Sequence, residues 1–122
     1  MILVDTSVWI DHLRRADHRL VRLLDADEVL QHPYVLGEIA LGNLRNRGRV
    51  LGAIAALLTV TIASHEEVML FIESRGLHGR GIGLVDAHLL ASAQLTPGCS
   101  FWTRDRRLRA VAAEVGVTTS EL

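Results

Sequence analysis

Short apolar runs alternate with amphipathic stretches along the whole chain. Ile2-Leu3-Val4 followed by Asp5 predicts a buried parallel strand over residues 2–5, one that delivers its acid to the carboxyl edge of a sheet. A helix is expected to start at Thr6 or Ser7, since hydroxyl and carboxylate side chains satisfy the free N–H groups of a first turn. Residues 19–25 predict a second short helix and residues 28–31 a second strand. Pro33 suits the first turn of a helix running through Tyr34, Leu36, Ile39 and Leu41. Farther on, a helix is expected over residues 50–58 and a short strand over residues 60–62. Ser64 with Glu67 three residues later makes a capping box that opens a helix to about Ser74.

Glycines at 76, 79, 81 and 83 then interrupt the pattern and predict a flexible connection. A helix is expected from about Leu84 to Leu95, and Pro97-Gly98 turns the chain into a strand over residues 99–103. Residues 106–114 predict the last helix, and residues 117–119 are placed to close the sheet. Strands alternating with helices, without internal repeats, predict a three-layer α/β domain with parallel strands. At 122 residues the chain is near the commonest single-domain size, so one domain over 1–122 is expected.

Composition changes this picture in two ways. Hydrophobic content of 49% is high for a small soluble chain, which predicts apolar surface covered by a second copy or a partner. All thirteen basic residues are arginine, and the absence of lysine excludes a phosphate-loop lysine or a Schiff base. Cys99 has no internal partner for a disulfide, and the apolar start before Asp5 is too short for a signal peptide or a membrane span. A cytoplasmic location is therefore expected. The net charge is only -1, but Arg104, Arg106, Arg107 and Arg109 crowd around Asp105, where they are placed to grip phosphates bidentately. A solvated helix face is the competing explanation.

The candidate chemistry lies in four isolated carboxylates: Asp5, Glu38, Asp86 and Asp105. Each has a structural explanation to be weighed. Asp5 and Asp105 both stand where an N-cap is wanted, and Asp86 complements the dipole of a first helical turn. Glu38 resists this treatment, because residues 34–40 contain no other charge and a buried unpaired carboxylate is costly. Four acids gathered at one sheet edge repel one another, so either some stay protonated or a cation neutralises them, and the second outcome implies catalysis. Oxygen donors without cysteine or histidine support favour Mg²⁺ or Mn²⁺ over zinc. His65-Glu66-Glu67 starts like a zincin helix, but Met69 stands where the second histidine is needed. Of the six histidines only His88, two residues after Asp86, is kept as a candidate for a local role.

Residues 1–9 (MILVDTSVW), the Glu38 helix, residues 84–91 (LVDAHLLA) and residues 101–105 (FWTRD) resemble, in order, the four acidic motifs of the PIN domain. The resemblance covers nearly the whole chain, and the small single-domain form resembles VapC-type toxins. It implies a three-layer α/β/α fold with a central, mainly parallel sheet and an Mg²⁺- or Mn²⁺-dependent endoribonuclease. It further implies a homodimer and inhibition by a cognate VapB-type antitoxin. By motif, Asp5, Glu38, Asp86 and Asp105 carry over as the acidic, metal-binding and catalytic set, with a metal-activated water attacking the phosphodiester. Thr6 and Thr103 match polar positions beside it and are expected, with Arg104, Arg106 and Arg107, to bind the RNA substrate.

Two other classes remain open at this point. A haloacid-dehalogenase-type phosphatase needs a second Asp two residues after the first, and Ser7 occupies that place. A non-catalytic protein-binding module of the same fold, in which the acids only cap helices, is the stronger competitor.

Overall fold

The computed structural model describes residues 1–120. Four short strands, β1 (Ile2–Val4), β2 (Val29–Gln31), β3 (Leu58–Thr59) and β4 (Ser100–Trp102), form one sheet in the order β3-β2-β1-β4. Every pairing is parallel, with Leu3 opposite both Leu30 and Phe101, and Leu30 opposite Leu58. Residues 118–120 extend the β4 side through a single parallel bridge, Phe101 to Thr119. Among the described residues seven helices flank the sheet: α1 (Thr6–Arg14), α2 (His18–Asp25), α3 (Pro33–Ala40), α4 (Arg47–Ala55), α5 (His65–Arg75), α6 (Leu84–Leu95) and α7 (Arg106–Glu114). The three-layer α/β/α arrangement expected from the sequence is the one observed.

Strand β1 lies between β2 and β4 and is covered on both faces, which explains its wholly apolar run. Leu3, Val4, Phe101 and Trp102 are buried there among Val8, Leu89, Leu90 and Leu108 from α1, α6 and α7. Parallel strands all point their carboxyl ends the same way. The residues that follow β1 and β4 therefore emerge side by side, and the Asp5 N–H donates to the Trp102 carbonyl at 2.9 Å.

Two boundaries differ from the sequence expectation. The helix expected at 50–58 runs over Arg47–Ala55, and the strand expected at 60–62 is Leu58–Thr59. Asn46, at φ 52, starts the helix early, and the register of β3 on β2 fixes where the following apolar run becomes strand. Val60 still donates its N–H to the Gln31 carbonyl. The glycine connection also departs from the flexible one expected. Gly76 ends α5 in the left-handed region, Gly81 at φ 79 lies against the Arg107 side chain, and Arg80 pairs with Glu114. The capping box of Ser64 and Glu67 forms with both its hydrogen bonds.

Helix α3 opens in an unusual way. His32 is 1% exposed, and its Nδ1 accepts the Tyr34 N–H at 3.0 Å, capping the helix as a neutral imidazole. Its Nε2 is buried without a hydrogen-bond partner among the described residues. Burial, with the nearby His88 second, pushes the His32 pKa down to about 4. The unfolded chain thus takes up a proton that the folded one refuses, so this contribution to stability is present above about pH 6.5 and is lost as the pH falls towards 4. Urea melts of His32→Asn should show about 1 to 2 kcal/mol lost at pH 7.5, the scale of a weakened cap and core site. Between pH 6.5 and 4 the variant should lose less stability than the wild type; parallel losses would rule out His32 as the titrating group.

Candidate active site

Asp5 follows β1 in an extended conformation ahead of α1, yet its side chain makes no capping bond to that helix. It is only 6% exposed, and Oδ2 accepts hydrogen bonds from Ser7 Oγ at 2.7 Å and Thr103 Oγ1 at 2.8 Å. Both hydroxyls are engaged a second time. Ser7 Oγ accepts the Arg104 N–H at 3.1 Å, and Thr103 Oγ1 accepts the Asp105 N–H at 3.1 Å. The turn carrying Asp105 is thereby tied to Asp5 through charge-assisted bonds.

Glu38 reaches the same neighbourhood from α3, where its Oε1 accepts from Thr6 Oγ1 at 2.6 Å. Its surroundings correct the sequence expectation of a buried charge. Val35 and Ile39 are buried, but Glu38 sits on the exposed face, so its apolar neighbours in sequence are not its neighbours in space. Asp86, third residue of α6, accepts the Gly83 N–H through Oδ2 at 3.0 Å. Asp105 caps α7, with Oδ1 accepting from the Arg107 and Leu108 N–H groups at 2.9 and 3.1 Å. A common pattern emerges. Each acid is anchored through one oxygen, while Asp5 Oδ1, Glu38 Oε2, Asp86 Oδ1 and Asp105 Oδ2 accept no hydrogen bond among the described residues.

The four acids share one electrostatic field. The Asp86 pKa is raised, mainly by burial and then by the negative charges of Asp5, Asp105 and Glu38, against the lowering effect of the Gly83 N–H. No cationic side chain among the described residues pairs with any of the four. This is a donor set of oxygens with surplus negative charge, and it fits a hard divalent cation. Among the described residues no three acidic, histidine or cysteine groups close on one point. His88 is directed elsewhere, with its ring against Tyr34 at 4.7 Å.

The expected substrate-binding residues behave differently from one another. Thr6 and Thr103 are 9% and 1% exposed, and their hydroxyls donate to Glu38 and Asp5, so they orient acids and do not face a substrate. Arg104 is engaged by Asp11 at 3.0 Å and Asp17 at 2.8 Å, with Arg19 on the other side of Asp17. Arg107 packs on Gly81, and its NH1 approaches the Gly81 carbonyl at 3.5 Å. Arg106 is exposed and unpaired among the described residues. Ser7 was not among the site residues expected from sequence. A hydroxyl two residues after the acid was the available sign, but at a helix start it is indistinguishable from a cap.

Residues 2–114 match the PIN domain family model. The chain belongs to the PIN-domain family. Two curated relatives, each named Ribonuclease VapC32 and coming from Mycobacterium tuberculosis strains CDC 1551 / Oshkosh and ATCC 25618 / H37Rv, are 52% identical to this PIN domain over 121 residues. The match spans 99% of this chain and 98% of each relative. The crystal structure of FitAcB from Neisseria gonorrhoeae superposes with a TM-score of 0.66 at 23% identity, covering 98% of this chain and 96% of that one. The structure of FitAB bound to an IR36 DNA fragment gives 0.65 at 21% identity, covering 98% and 94%. These two likenesses bear on the fold alone.

The crowding in this PIN domain has a measurable cost. With its folded-state pKa raised, ionised Asp86 opposes folding at neutral pH, and stability falls as the pH rises through that raised value. Asp86→Asn keeps an acceptor for the Gly83 N–H and removes the charge. Its metal-free melting temperature at pH 7 should exceed the wild type's by on the order of a few °C. A lower melting temperature in EDTA would mean that repulsion at Asp86 is not significant.

Proposed function

We propose that this PIN domain, as one domain over residues 1–122, is an endoribonuclease dependent on Mg²⁺ or Mn²⁺ and the toxin of a toxin-antitoxin pair. The observation that carries this reading is the set of four half-anchored carboxylates, of which Asp86 has its pKa raised by burial and then by the charges of the other three, with no cationic side chain paired to any of them among the described residues. The name Ribonuclease VapC32, borne by relatives at 52% identity over nearly the full chain, supports the substrate class.

Asp5 and Asp86 hold the cation in this scheme, and Glu38 and Asp105 join them directly or through water. A bound divalent ion supplies a more acidic water and a counter-charge for the phosphate. The chain's own residues do the rest. Ser7 and Thr103 fix the Asp5 carboxylate by holding one oxygen and leave the other without a hydrogen bond among the described residues, and Thr6 does the same for Glu38. Because an acidic centre repels RNA, Arg106 and Arg107 at its rim supply the attraction, and binding weakens as salt rises.

Exposed Leu41 at 90%, Leu70 at 70% and Leu58 at 64% supply apolar area for a second copy of the chain or a VapB-type antitoxin. No helix among the described residues is long and apolar enough to cross a membrane, and the cytoplasm is the proposed location. One observation favours the non-catalytic alternative: Asp86 and Asp105 bond free N–H groups at helix starts, as acids that only cap would. Asp5 and Glu38 do not, and the capping account leaves both unexplained.

Asp5→Asn should reduce Mg²⁺-dependent RNA cleavage by about 100-fold or more while leaving the circular dichroism spectrum unchanged. Ser7→Ala, which removes one of the two hydroxyls that hold Asp5 Oδ2, should lower Mn²⁺ affinity by about 10- to 100-fold in a calorimetric titration. Absence of any saturable Mn²⁺ binding by the wild type would favour the non-catalytic module. Expression of the chain alone should arrest growth, and coexpression of its operon neighbour should relieve the arrest. An active nuclease that is harmless to its host would refute the toxin assignment alone.

A further inference from the structure

Of the five aromatic residues, Trp9, Phe71, Phe101 and Trp102 are at most 8% exposed, and only Tyr34 presents its ring to solvent, at 46%. A single exposed aromatic needs no explanation by itself. Its position does. Tyr34 is the second residue of α3 and stands one helical turn before Glu38, so the two side chains share a face with their Cβ atoms about 5–6 Å apart.

The ring is also held in place. It meets His88 of α6 edge-on, with centroids 4.7 Å apart and planes at 64°, and lies 5.2 Å from His32. His65, at the start of α5, stacks behind His88 at 6.3 Å and 25°. The backbone of Tyr34 is fixed by its N–H bond to His32 Nδ1. The phenol ring thus spans α3 and α6, the helices that carry Glu38 and Asp86, and it is backed by imidazoles on its inner side.

We propose that Tyr34 stacks an unpaired RNA base flanking the scissile phosphate. This rests on the ribonuclease reading and adds to it a residue that contacts a base. Every base has a π-face, whereas bases in a duplex are already stacked and unavailable to a side chain. A rigid ring beside the acids loses little freedom on contact. It complements Arg106 and Arg107, which recognise phosphate and not base.

The test uses full-length protein carrying Asp5→Asn, so that RNA is bound and not cut, and a single-stranded oligoribonucleotide with one 2-aminopurine. Binding should quench the 2-aminopurine fluorescence. Adding Tyr34→Ala should weaken binding by about 5- to 150-fold and abolish the quenching, whereas Tyr34→Phe should restore both. The same oligonucleotide annealed to its complement should bind with equal affinity whether or not the protein also carries Tyr34→Ala. Unchanged affinity and quenching in Tyr34→Ala would overturn the proposal, as would a change in sedimentation coefficient that marks the ring as an assembly contact. If the protein that retains Tyr34 binds no RNA at all, the ribonuclease reading falls and the stacking role with it. RNA binding that is never accompanied by quenching would overturn the stacking role alone.

Discussion

Negative charge crowded at the carboxyl edge of a parallel sheet is the condition to which the rest of this structure is fitted. Strands β1 and β4 run side by side in the same direction, so the segments that leave them must emerge together, and both bring an acid. Helices α3 and α6 add two more. The sheet gains nothing from this arrangement, since burial and then the negative charges of Asp5, Asp105 and Glu38 disfavour the ionised form of Asp86. Sites that work against folding in this way are where catalysis is commonly found.

Hydroxyl groups and backbone N–H donors make the crowding tolerable without neutralising it. Ser7 and Thr103 each donate to Asp5 and accept from the backbone beside Asp105, forming a short relay across the two strand ends. Neutral donors have an advantage here over arginine. They fix a carboxylate's direction while leaving its charge and second oxygen available, whereas a bidentate guanidinium would occupy both oxygens. The nearest strong ion pairs, from Arg104 and Arg19 to Asp17, lie off to one side and brace α1, α2 and the turn after β4 against each other. The Asp17 carboxyl is held well below the usual carboxylate range, chiefly by its hydrogen bonds with Arg19.

Much of this was legible in the sequence because local chemistry and global fold agree. Ile2-Leu3-Val4 can only be a buried strand, Pro33 opens its helix, and Ser64 with Glu67 declares a helix start. Where the chain reads as one apolar run, from Val50 to Ile62, period alone does not separate helix from strand, and pairing with β2 decided the boundary. Glu38 was singled out for a reason that does not hold, its apolar sequence neighbours, although its bond to Thr6 draws it to the other acids. The commitments of Ser7 and Arg104 were invisible. Their partners lie 97 and 87 residues away in the chain, beyond the reach of any motif.

That separation has a temporal side. Asp5 and Thr103 are 98 residues apart, and the central strand cannot gain its β4 neighbour until residues 100–102 exist. At about 5–20 residues per second of synthesis, Asp5 is outside its finished setting for several seconds at least. A growing chain still attached to its ribosome therefore carries Asp5 without the Thr103 hydroxyl and without the neighbouring strand that together fix its place.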